Sequence, residues 1–197
     1  FYGGEIKDSC KACDQNPVRG FEWDESHKGV AFIHVENEEE TVGKGWKNRR
    51  QAEAIISIIR SLLKAGDVVP ADIGVISFYQ GQTKLMEESL RDNGWPEVVA
   101  ANVDGFQGHE KEVILLSTVR SNSNKRLGFA ADPHRLCVSW SRAKRGFFIV
   151  GNGNCLCQGD NYNYYGELCN SIPRWDYRYY KFQRNREKFP CLLYTSP

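Results

Sequence analysis

The stretch that decides the fold is Val103-Asp104-Gly105-Phe106-Gln107-Gly108-His109-Glu110, followed by Glu112-Val113-Ile114-Leu115-Leu116-Ser117-Thr118-Val119-Arg120-Ser121. A glycine-containing loop runs into Val113–Thr118, an apolar block with the length and composition of a buried strand. Glycines ahead of a strand let backbone N–H groups approach a phosphate closely. Glu110 offers a carboxylate to ribose hydroxyls. Ser117, Thr118 and Ser121 lie near the strand end, where hydroxyls can hold a nucleic-acid phosphate. Taken alone, the stretch reads as a turn before a buried strand.

Working outward, Val98–Ala101 and Asp72–Ser77 read as strands, the second followed by a helix from about Gln80 to Asp92 that closes near Gly94. Farther upstream, Ala52, Ile55, Ile56, Ile59, Leu62 and Leu63 recur at helical spacing within Asn48–Leu63, with Gly66 as the stop. Val30–Val35 reads as a buried strand and the acidic Glu36–Glu40 as a solvated turn. Downstream, Asp132–Ala143 reads as a helix and Phe147–Val150 as the last core strand. Strands alternating with helices predict an α/β fold with a parallel sheet and helices on both faces. Ligands in such folds sit beyond the carboxyl ends of the strands, so the loops after Ser77, Ala101, Thr118 and Val150 are the ones to watch. Residues 1–29 are broken by glycine and proline. After Asn152 the composition turns to Tyr and Asn, with one helix expected around Glu167–Ile172 and an appended segment beyond.

The chain has 197 residues, enough for one substantial core. Lys+Arg 26 against Asp+Glu 25 leaves a net charge of +1, so any nucleic-acid surface must be a local concentration of charge. No apolar run approaches the roughly 20 residues of a membrane helix. Seven irregularly spaced cysteines fit free thiols in a reducing compartment, cytoplasmic or nuclear. The chain opens on Phe1, and half of the chemistry is expected upstream of it.

A second block, Asp132-Pro133-His134-Arg135-Leu136-Cys137-Val138-Ser139-Trp140-Ser141-Arg142-Ala143-Lys144, leads into Gly146-Phe147-Phe148-Ile149-Val150-Gly151-Asn152. On a continuous helix Arg135 and Arg142 share one face. Arginine's planar fork suits phosphate oxygens, and an arginine supplied by a second domain stabilises charge in phosphoryl transfer. On its own the block is an amphipathic helix with solvated arginines.

Together the two blocks resemble motifs V and VI of superfamily 1 helicases, in the branch that holds the nonsense-mediated-decay helicase, senataxin and the NFX1-type zinc-finger helicase-like proteins. Ile76-Ser77-Phe78-Tyr79-Gln80-Gly81-Gln82 is similar to a further element of that family, and Phe1-Tyr2-Gly3-Gly4 to the segment after another. Departures from the family pattern fall at Phe78, Glu112, Cys137, Ser139 and Trp140. The resemblance implies a second RecA-like domain over residues 1–156, lacking its own P-loop, with residues 157–197 as a C-terminal helix and Tyr/basic tail. It implies that Arg142 is the catalytic arginine reaching the γ-phosphate, that Gln107 and Gly108 line the ATP cleft, and that Glu110 binds ribose. Ser77, Tyr79, Thr118, Val119 and Ser121 would lie on the nucleic-acid side, with Gln82 packing or capping its helix. ATP and Mg²⁺ would be shared with the N-terminal RecA-like domain of the same parent chain. Single-stranded RNA or DNA would be the track, with RNA favoured. The isolated fragment would be inactive.

Three lookalikes carry less. Asp24-Glu25-Ser26-His27 spells an acidic helicase box but lacks the apolar strand that should precede it. Gly43-Lys44-Gly45 has the end of a P-loop without its first glycine or its hydroxyl. Cys10 and Cys13, with Cys155 and Cys157, would need the fold to unite them before they could bind zinc, and no metal site is assigned. An alternative of a different class, a degenerate motor serving as a protein-interaction scaffold, rests on Cys137, Ser139, Trp140 and the Tyr-rich tail.

Overall fold

In the computed structural model, residues 16–25, 29–157 and 174–176 are described. The readings made on Phe1–Gly4, on Cys10 and Cys13, on Ser26 and His27, and on the Glu167–Ile172 helix lie outside those residues.

Six parallel strands form one sheet in the order β5-β4-β6-β7-β1-β8. They are β1 (Val30–His34), β4 (Ile73–Ser77), β5 (Val99–Asn102), β6 (Lys111–Ser117), β7 (Ala143–Gly151) and β8 (Arg174–Asp176), the last pairing with β1. Side chains alternate between two cores, as the pleat requires. Ala31, Ile33, Val75, Val113, Leu115, Phe148 and Val150 face one side, and Phe32, Ile76, Ile114, Leu116, Phe147 and Ile149 the other.

Helices α1 (Arg49–Ala65) and α2 (Gln80–Asp92) cover the first face. Asn48 caps α1 by accepting the Gln51 N–H, and Gly66 ends it at φ 69°, so both boundaries follow from local chemistry. Among the described residues the second face is covered more thinly, by 3-10 turns at Asp104–Phe106 and Gly128–Ala131 and the short helix α3 (Pro133–Trp140). A hairpin that the sequence reading did not foresee, β2 (Glu40–Val42) with β3 (Gly45–Lys47), turns at Gly43-Lys44. The P-loop lookalike is therefore a β-turn. Helix α4 (Gly153–Leu156) follows β7 directly.

One connection is unusual. β5 and β6 flank β4 on opposite sides, and Val103–Glu110 joins them with only a 3-10 turn where parallel strands normally use a helix. The path can lie flat because Gly74 of β4 has no side chain. A Cβ there would sit 2.5 Å from Cζ of Phe106.

Candidate functional site

The residues singled out in the sequence gather at opposite ends of the sheet. At the amino ends of β6 and β7 the Lys111 N–H donates to the Arg142 carbonyl at 3.1 Å, and Lys111 pairs with Ala143. Gln107, Gly108, Glu110 and Arg142 are thereby brought to one end. Gln107, Gly108 and Glu110 are all exposed. Gly108 has φ 83°, and nothing lies within 4 Å of where its Cβ would be, so the backbone there faces open space.

The helix expected to run to Ala143 stops at Trp140, because residues from Ala143 onward are drawn into the ladder with β6. Arg135 therefore stands in the first turn of α3 and Arg142 in the bend beyond its end, rather than on one helical face. The half-buried Arg142 folds back. Its Nε donates to the Val138 carbonyl at 3.1 Å and its Nη2 to Ser141 Oγ at 2.7 Å. The negative end of the helix dipole holds the guanidinium there.

At the carboxyl ends, Ser77, Tyr79, Thr118, Val119 and Ser121 are all buried. Ser77 Oγ accepts the Tyr79 N–H at 3.2 Å, and Tyr79 Oη donates to the Leu127 carbonyl at 3.1 Å. Thr118 Oγ1 donates to the Val150 carbonyl at 3.3 Å, and Ser121 Oγ accepts from Asn152 Nδ2 at 2.8 Å. These side chains build the edge from within.

What braces them was missed in the sequence. Gln51 Oε1 accepts from Ser117 Oγ and from the Val119 N–H, both at 2.8 Å. Gln51 Nε2 and Asn48 Nδ2 each donate to the Val119 carbonyl at 3.3 Å. Val119 is held at φ 65°, a strained region for a β-branched residue. Gln82, expected to serve its own helix, instead accepts the Asn48 N–H at 2.7 Å and donates to the Asn48 carbonyl at 3.1 Å. A signal existed: Gln51 is a lone amide on the stripe formed with Ile55, Ile58 and Leu62.

Glu39 likewise leaves the solvated turn assigned to Glu36–Glu40. Its carboxylate accepts the Ser121 N–H at 2.6 Å and meets Arg120 Nη2 at 3.0 Å, with side chains only 5% and 9% exposed. Trp46 of the hairpin stacks on Arg120, whose Cζ lies 4.5 Å from the ring centroid.

Against the expectation of free thiols, Cys157 is disulfide-bonded; burial pushes the Cys155 thiol up. Among the described residues no group of three His, Cys, Asp or Glu could hold a metal ion, and no helix is long and apolar enough to cross a membrane.

A family profile described as an AAA domain matches residues 1–154. The regulator of nonsense transcripts 1 homolog of Drosophila melanogaster is 35% identical over 83% of this chain, which spans 14% of that protein. Its Neurospora crassa counterpart is 38% identical over 80% of the chain, which spans 15% of it. The ATP-dependent helicase upf1 of Schizosaccharomyces pombe is 34% identical over 80%, and the chain spans 18% of it.

Proposed function

We propose, from the premise that this chain belongs to the AAA domain family and is a superfamily 1 helicase domain of the nonsense-transcript branch, that it forms one wall of an ATP cleft and one grip on single-stranded RNA or DNA. The observation that carries this reading is the backbone hydrogen bond from Lys111, the residue that ends the exposed 107–110 loop, to the Arg142 carbonyl at the amino ends of β6 and β7. Gln107 and Gly108 would face the nucleotide, Glu110 its ribose, and Arg142 would swing from the end of α3 to the γ-phosphate. The positive φ at Gly108 and the open space beside it fit close approach of a nucleotide.

ATP is the substrate, and Mg²⁺ would neutralise charge on its phosphates. The Mg²⁺ carboxylates and the phosphate-cradling loop would come from the N-terminal RecA-like domain of the parent chain; among the described residues here no group of three His, Cys, Asp or Glu could hold a metal ion. The fragment alone should not hydrolyse ATP. The carboxyl edge would hold the strand through the residues that Ser77, Tyr79, Thr118, Val119 and Ser121 position. Closure of the two domains on ATP would then alternate with release, shifting the grips along the strand.

The test is Arg142→Ala in a protein containing both domains. The hydrolysis rate should fall roughly 10³-fold or more, while ATP affinity changes far less. An unchanged rate removes Arg142 from the cleft.

A further inference from the structure

We propose that a cavity at the carboxyl ends of β4 and β5 takes an unpaired nucleobase of a single strand, walled by Trp46, Tyr79 and Phe129, with Lys44 and Arg135 meeting the flanking phosphates. The proposal rests on the reading that nucleic acid crosses this edge, and it names the group the edge recognises. The cavity measures about 480 Å³, within the range of small-molecule sites.

Its walls are fixed before anything binds. Tyr79 is tied by its hydroxyl to the Leu127 carbonyl, and Trp46 lies against an Arg120 already held by Glu39. The turn that carries Phe129 packs so tightly on Tyr79 that a Cβ on Gly128, at φ 56°, would stand 2.7 Å from the tyrosine oxygen. A wall that needs no ordering on binding loses little affinity to entropy.

Phe129 is the anomaly. It is 57% exposed, although its neighbours Leu127 and Ala130 are buried. Its ring stands 5.8 Å from that of Tyr79, and the Arg135 guanidinium lies 4.7 Å from its centroid. An aromatic ring presented to solvent beside a cation is the arrangement on which bases stack whatever their identity. Charge points the same way. The Arg120 charge is taken up by Glu39, Arg135 reaches Asp104 only at 3.6 Å, and Lys44 is exposed at the hairpin tip.

ATP is a poor fit for this cavity by position. From Arg135 to its last residue, Trp140, α3 rises roughly 7.5 Å at ~1.5 Å per residue, and Arg142 lies beyond that end, beside the amino ends of β6 and β7.

Binding of the 197-residue chain to a fluorescent oligouridine, and to an abasic strand of equal length, tests the proposal by anisotropy. The chain should bind oligouridine about 5- to 10-fold more tightly than the abasic strand. Phe129→Ala should erase that preference without weakening abasic binding, and Phe129→Trp should restore it. Lys44→Ala should weaken both strands. Phe129 is exposed, so these variants keep the core, and circular dichroism checks that they do. If wild type and Phe129→Ala bind oligouridine equally, or wild type does not distinguish the two strands, the base site is overturned while the edge reading stands. If neither strand binds the chain, both are overturned.

Discussion

Gln51 grips Val119 by both backbone groups, accepting its N–H at 2.8 Å and donating to its carbonyl at 3.3 Å. Because Val119 sits at φ 65°, the grip holds a conformation that the residue would not choose. The strain is located where the chain leaves β6 for the edge. Gln51→Ala would strand the Val119 N–H and the Ser117 hydroxyl, both buried. Urea unfolding should show a loss of about 2–4 kcal/mol. An unchanged midpoint would mean that the loop finds other partners.

Glu39 and Arg120 form a buried pair whose partners are far apart in the chain. Removing one member leaves a buried charge, so Glu39→Ala should cost about 3–5 kcal/mol. The double variant Glu39→Ala, Arg120→Met should be more stable than Glu39→Ala alone. A strictly additive double-mutant cycle would rule out the coupling.

Gly74→Ala should push Phe106 off the sheet. Overpacking of this kind costs about 1–3 kcal/mol, read as a lowered thermal midpoint. Phe106→Leu in the same molecule should recover part of the loss. Failure to recover would place the clash elsewhere, Ile114 Cδ1 being the next atom at 2.9 Å.

Asp67 fastens residues 16–25 to the body. It accepts the Arg19 N–H at 2.9 Å and meets Arg145 Nη2 at 2.7 Å. The Arg19 N–H, and Arg145 after it, hold its carboxyl below the ordinary 3.8 against the opposing effect of burial. The folded chain therefore releases this proton more readily than the unfolded one. The stabilisation is present above the unfolded pKa and disappears as pH falls through the folded value. Wild type should exceed Asp67→Asn in stability at neutral pH, with the gap closing in acid below the ordinary value. A gap independent of pH would contradict this.

The core strands and α1 could be read because their signals are local. Val113–Leu116 is a run of large apolar residues, and Asn48 and Gly66 cap α1 by contacts within a few positions. Trp140 could not be recognised as a helix end, because the pull on Ala143 comes from Lys111 on another strand. The hairpin's strands are three residues each, too short for alternation to show. The buried state of Ser121 and Val119 depends on Glu39 and Gln51, which sequence distance conceals. The residues proposed for the site were thus nameable from motifs, while their burial and their braces were not.

The connection from β5 to β6 has a mechanical meaning. Three of its eight residues are wound in a 3-10 turn, so at ~2 Å rise for those and ~3.3 Å for the rest it reaches roughly 23 Å. That is an upper reach, about the length of β6 itself, because Gln107 and Gly108 lie in a further turn closed by the His109 N–H on the Phe106 carbonyl. The segment behaves as a taut stay between two anchorages, Val103 fastened to the Ser77 carbonyl and Glu110 at the mouth of β6. Tension applied at one anchorage reaches the other for as long as the turns closed by the Gln107 and His109 N–H groups hold. Displacement of the 107–110 loop must pull on Asp104 and the Arg135 ion pair at the far edge.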